Sequence, residues 1–148
     1  MRRTLFLLLF AFGCASSSPL IEKTYVRGAP GQPIVIAIGA TENPLLLPDS
    51  GRSRNFDLIV EITNVSDFLL TIDRIHVANG ARSSRFDIRS MKIEPNQPIE
   101  PGAEAEFILS ARIDNHGRGS ANRLAVRTAV TLSNGTTYAH EFEIPGRP

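Results

Sequence analysis

The side chains able to do chemistry are few and scattered. The 148-residue chain holds three histidines, His76, His116 and His140, and one cysteine, Cys14. A metal site would need a carboxylate such as Asp73 or Glu141 beside the histidines, yet these stand singly, without the His-x-His or His-Glu-x-x-His spacing that brings two imidazoles to one ion. No metal is expected. His76 points opposite to Ile75 and Val77 and reads as a surface residue, whereas His140 shares a face with Tyr138 and Phe142 and reads as a core histidine. A nucleophilic serine in Gly-x-Ser-x-Gly is missing, as are the phosphate-cradling loop and the dinucleotide fingerprint. Gly117-Arg118-Gly119 lies between two strands with no helix behind it to supply a dipole. A single methionine, Met91, follows the leader. Neither catalysis nor a cofactor is expected.

Cys14 is informative through its place. Met1-Arg2-Arg3 precedes an apolar run from Leu5 to Phe12, then Gly13-Cys14 and Ala15-Ser16-Ser17-Ser18-Pro19. A basic start, a short apolar stretch and small residues form the layout of a secretory signal peptide, and the stretch is shorter than the roughly 20 residues that span a bilayer. With Gly13 before Cys14, the segment resembles a bacterial lipoprotein signal, which implies cleavage before Cys14 and lipidation of that residue. Alanine after the cysteine implies sorting to the outer membrane. Ala11 and Phe12 depart from the usual Leu and small residue, while Ala11 and Gly13 satisfy the small-x-small rule of ordinary signal peptidase, which would leave Cys14 a free thiol in a secreted or periplasmic protein. The division is residues 1–13 as signal, 14–30 as lipidated N-terminus and flexible linker, and 31–148 as one folded domain.

Hydrophobic residues make up 42% and charged residues 21%, with a formal net charge of +1. This excludes a disordered acidic tail, a strongly basic nucleic-acid binder and a multi-span membrane protein. Loss of residues 1–13 removes Arg2 and Arg3 and turns the charge to −1. The remaining cations are arginines except for Lys23 and Lys92, planar donors suited to carboxylate and phosphate.

These side chains must be held by strands. The domain shows short segments of period two between Gly, Pro, Asn and Asp turns, without a 3.6-residue stripe. Ile34 to Ile38 reads as a strand buried on both faces; Phe56, Leu58, Val60 and Ile62 alternate with polar residues in a half-buried one. After a turn at Asn64-Val65-Ser66-Asp67, a strand runs from Phe68 to Ala78, with a register shift before Ile75 that signals a bulge. Phe86 and Ile88, Phe107 to Ile113, Leu124 to Leu132, and Tyr138 to Ile144 give four more. Glu94 to Gly102 is expected to be irregular because of its prolines, and Asn134-Gly135 to form a type I′ hairpin. Seven short strands predict an all-β antiparallel sandwich, immunoglobulin-like. The stretch Asn55 to Val77 resembles paired strands of the Ig-like domains of bacterial envelope proteins.

In such a sandwich alternate loops gather at one end. Arg52, Arg54, Arg82, Arg85, His116, Arg118 and Arg123 fall in one set; Asp67, Glu94, Glu100 and Glu104 fall in the other. The expected function is a non-enzymatic, lipid-anchored interaction module facing the periplasm. It would bind an anionic protein or cell-envelope polymer, not nucleic acid, through Arg52, Arg54, Arg82, Arg85 and Arg118. Loop arginines also serve solubility alone. A periplasmic protease inhibitor of Ig-like fold is the alternative, although the aromatic loop residues such inhibitors use are not evident.

Overall fold

The computed structural model describes residues 24–26, 31–42, 44–80, 85–117 and 123–147. Among these, eleven strands form two sheets: β1 (Thr24–Val26), β2 (Ile34–Ala40), β3 (Leu45–Leu46), β4 (Ser53–Asn64), β5 (Leu70–Asn79), β6 (Phe86–Ile88), β7 (Met91–Ile93), β8 (Gln97–Ile99), β9 (Glu104–Asn115), β10 (Arg123–Leu132) and β11 (Thr137–Arg147). One sheet has the order β1-β2-β4-β9-β6; the other has the order β3-β11-β10-β5-β7, with β8 beside β5. All pairings are antiparallel except that of β3 with β11. The expected all-β sandwich is observed.

Alternation explains the core. Phe56, Leu58, Val60 and Ile62 of β4 and Leu109, Ala111 and Ile113 of β9 face Ile72, Ile75 and Val77 of β5, Leu124, Val126 and Val130 of β10, and Phe142 and Ile144 of β11 in one apolar cluster. Burial of each Val, Leu, Ile or Phe side chain contributes roughly 1.5–3 kcal/mol, so this shared interior dominates what holds the sheets together. β2 is buried on both faces, Ala37 as well as Ile36 and Ile38, as its unbroken apolar run implies. β5 carries the expected bulge: Thr131 is opposite Arg74 but Leu132 is opposite Ile72. Asp73 is the extra residue, and it lets Leu70 and Ile72 share the inward face with Ile75 and Val77.

Four local expectations are corrected. β1 falls inside the stretch 14–30 assigned to the linker. β5 begins at Leu70, which leaves Phe68 in the preceding loop. β8 is a strand despite Pro98: it borders only β5, at a sheet edge where a missing N–H costs no ladder bond. At the β10–β11 hairpin the Gly135 N–H donates to Leu132 O (2.9 Å). Gly135 alone takes a positive φ, +84°, so Ser133-Asn134 form an ordinary type I turn followed by a left-handed glycine, not type I′.

Candidate functional site

Strand β4 spans twelve residues, about 36 Å at roughly 3.3 Å per residue. Its two termini mark opposite ends of the sandwich. At the first end, Ser53 lies opposite Asp114 of β9 and Phe86 of β6 opposite Asn115. The loop before β4, the segment entering β6 and the loop after β9 therefore meet there, as strand parity requires. Among the described residues, Arg52 and Arg85 meet at this end, as the sequence grouping expects.

Asn115 ties those loops together. It continues the inward series Leu109, Ala111, Ile113 and is 3% exposed. Its Nδ2 donates to Pro48 O (2.7 Å), and its Oδ1 accepts from Gly117 N (2.8 Å) and from Arg85 Nε (3.4 Å). Its backbone N–H donates to Arg52 O (3.0 Å) and its carbonyl accepts from Gly51 N (2.9 Å). The His116 N–H completes the junction by donating to Arg85 O (2.9 Å).

The arginines on this frame differ in availability. Arg52 is exposed. Arg85 is half-buried, its guanidinium 5.2 Å from the centre of the Phe86 ring, a cation–π distance. Neither has a carboxylate partner among the described residues. Arg54 is engaged: Nη1 and Nη2 donate to the two oxygens of Glu42 (2.7 and 2.6 Å), and Nη1 also to Leu46 O (2.8 Å). That bidentate bond holds the Glu42 carboxyl below the usual glutamate value and outweighs the slight desolvation that opposes it. Arg54 thus braces the loop and is withdrawn from the binding set. Arg123 bonds Glu143 (2.7 Å) and His116 bonds Asp87 (2.7 Å). Arg82, Arg118 and Cys14 lie outside the described residues. Leu46, Leu47, Pro48, Asp49, Arg52, Ser53 and Arg54 line a shallow depression of about 280 Å³ at this end.

The opposite end is acidic in part: Asp67, Glu100 and Glu104 are exposed there. Glu94 belongs elsewhere, because Ile93 lies opposite Ile75 in the middle of β5 and Glu94 pairs with Lys92 and Arg74. The same end presents Val65, Phe68 and Leu69, each more than half exposed, so an aromatic loop residue is present after all. Its support is Asn64, wholly buried, which continues the inward series Phe56 to Ile62 as Asn115 continues that of β9. Nδ2 of Asn64 donates to Phe68 O (2.8 Å) and Ile99 O (2.9 Å), and Oδ1 accepts from Ser66 N (2.9 Å) and Oγ (2.6 Å).

The histidines stay apart. His76 is exposed, with Nε2 2.7 Å from Ser90 Oγ. His140 is half-buried edge-on to Phe142, and its Nε2 has no hydrogen-bond partner. Among the described residues no three His, Cys, Asp or Glu side chains gather as a metal site.

No protein-family description matches the chain, nor does any curated protein. Solved structures are similar to it in fold. A Northeast Structural Genomics Consortium target, SoR45, has a TM-score of 0.50 at 10% identity, covering 80% of this chain and 90% of that one. A FixG-related protein from Vibrio parahaemolyticus scores 0.40 at 11% identity (79% and 99% covered), and the putative ApaA protein from Bordetella pertussis 0.42 at 14% (84% and 96%). At such identities the first of these supports the β-rich architecture and nothing finer.

Proposed function

We propose that the chain is a non-enzymatic, immunoglobulin-like interaction module of a bacterial cell envelope. It is held by a lipid on Cys14, faces the periplasm from the outer membrane, and binds an anionic partner through its arginine-bearing end. The observation that carries the reading is the Asn115 junction, which fixes loops from three strand connections into one surface and leaves Arg52 and Arg85 without carboxylate partners among the described residues. Planar guanidinium groups on a preorganised frame suit carboxylate or phosphate. Arg82 and Arg118, from the same connections, complete the set; Arg54 supports it from beneath. β1 runs antiparallel to β2 with Thr24 opposite Ile38, which itself lies opposite Val60 of β4, so the chain enters near the middle of the sandwich, slightly toward the acidic end. Ten residues from Cys14 to Thr24 reach at most about 33 Å, close to the length of the sandwich, so the tether allows either end to face outward.

Binding to immobilised polyglutamate tests the reading. Replacement of Arg52, Arg82, Arg85 and Arg118 by serine is expected to abolish retention while the circular dichroism spectrum stays unchanged, and Arg54→Ser alone to weaken it little; unaltered retention by the fourfold variant refutes the proposal. A lipid mass on the mature N-terminus that disappears in Cys14→Ser tests the anchor. Phe68 on a rigid loop favours protease inhibition as the second reading. Its carbonyl, however, accepts from Asn64 Nδ2 and from Ser66 Oγ (3.1 Å), so the peptide bond is turned inward. Inhibition would work by a wedged side chain, and an assay against chymotrypsin-type and papain-type proteases, with Phe68→Ala as control, decides it.

A further inference from the structure

We infer that the apolar tip of one molecule seats on the arginine-bearing end of another, so that the chain associates with itself head to tail. The inference rests on the reading that the arginine-bearing end is a binding surface, and it names that surface's partner as the acidic end of a second copy.

Val65, Phe68 and Leu69 are 54, 60 and 54% exposed. Single exposed apolar side chains are ordinary, but three within five residues on one loop form a contiguous patch of the kind that marks an interaction site. The loop cannot fold back to hide them, because Asn64 and Ser66 bond its backbone from below. Asp67, Glu100 and Glu104 share that end, which disfavours an anionic membrane or polymer and favours a cationic rim. Such a rim exists about 36 Å away, at the other end of β4. There Leu46, Leu47 and Pro48 floor the depression of about 280 Å³, and Arg52 stands at its edge with Asp49 also in the lining. An enclosed apolar cavity of about 150 Å³ accepts benzene, so the recess has room for the Phe68 ring. An apolar projection with acidic neighbours and an apolar recess with an arginine at its edge are complementary in polarity and charge.

Because tip and recess are different surfaces, the contact is heterologous and does not close at two copies. One loop buries little area compared with a stable interface, so the association is weak and falls with salt. Sedimentation equilibrium of the processed chain, carrying Cys14→Ser to keep it free of lipid, reads this out over a concentration series. The Cys14→Ser protein is expected to grow beyond the mass of a dimer at low salt. Phe68→Asp and Arg52→Glu, both at exposed positions, are each expected to remain monomeric. Mixed one to one they should form a heterodimer and nothing larger, since one supplies the recess and the other the tip. A Cys14→Ser protein that is monomeric at every concentration overturns the inference. So does a closed dimer that Phe68→Asp abolishes and Arg52→Glu preserves, or Phe68-dependent sedimentation with phosphatidylcholine vesicles in place of self-association. Polyglutamate separates the two proposals: retention without self-association removes only this inference, and absence of both removes the binding-end reading too.

Discussion

Asn64 and Asn115 end adjacent antiparallel strands and close opposite ends of the sandwich in the same manner. Each sits where the next inward apolar residue would fall, each is buried, and each uses both the oxygen and the nitrogen of its amide to hold loop backbone. Replacement of either by an apolar residue of similar size would take a hydrogen-bond partner from loop carbonyls and N–H groups. An unsatisfied buried polar group costs about 1–3 kcal/mol.

The consequence for Asn64 is a loss of stability. Asn64→Ala is expected to lower unfolding free energy by about 2–3 kcal/mol, since Ile99 O and Ser66 N lose their bonds. Asn64→Asp should be worse at neutral pH, because it keeps the acceptor, loses both donor bonds and buries a charge, and should recover in part as acid protonates it. Urea unfolding at pH 7 and pH 4 checks the order.

At Asn115 the effect should reach binding as well. Asn115→Ala releases Pro48 and Gly117 and loosens the frame under Arg52 and Arg85. Retention on polyglutamate is expected to fall even at temperatures well below the unfolding midpoint, whereas Asn64→Ala, at the far end, leaves retention unchanged in its folded fraction. Unchanged retention in Asn115→Ala would show that the arginines bind as independent charges.

Much of this architecture is legible in the sequence. The alternation of Phe56 to Ile62 and of Phe107 to Ile113, the unbroken apolar run of β2 and the slip before Ile75 all follow from burial on one or two faces, a signal repeated at every residue. Of the strands of two or three residues, β6 shows through the alternation of Phe86 and Ile88, whereas β1, β3, β7 and β8 exist through pairing with neighbours and carry too few residues for a period. The engagement of Arg54 is invisible in the sequence for a related reason: its partner Glu42 lies twelve residues earlier, and only the closure of the intervening loop brings the two side chains together. The two asparagines did leave a trace, since both prolong an inward series, but a polar residue there reads equally as the end of a strand.

Close approach makes a further prediction at Gly146. A Cβ on this residue would fall within 2.6 Å of Leu47 Cγ, and Leu47 is buried under the parallel pairing of β3 with β11. Gly146→Ala is expected to cost about 1–3 kcal/mol by overpacking, and Leu47→Ala in the same chain to restore part of that cost by making room. A double-mutant cycle by thermal unfolding measures the coupling; additive losses would mean that the loop yields without strain.

Thr128 predicts the opposite sign. It is wholly buried in β10, opposite His140 of β11, and its Oγ1 has no hydrogen-bond partner. Valine has nearly the same shape without the hydroxyl, so Thr128→Val is expected to raise stability by about 1 kcal/mol, seen as a higher denaturant midpoint with an unchanged slope.

The Glu42–Arg54 pair sets a pH dependence. Arg54 holds the Glu42 carboxyl below its unfolded value of about 4.3. A depressed carboxyl adds stability that is fully present above the unfolded value and disappears as pH falls through the lower, folded one. Side-chain exposures of 30% and 39% admit solvent, so the contribution should stay under about 1 kcal/mol and shrink with salt. Glu42→Gln is therefore expected to be slightly less stable than the native chain at pH 6 and indistinguishable from it near pH 2. Because the same pair anchors Leu46, the floor of the recess, the variant should also weaken self-association at pH 6 more than its small stability loss explains. Sedimentation at matched folded fraction tests that excess, and a normal association constant in Glu42→Gln would separate the brace from the binding surface.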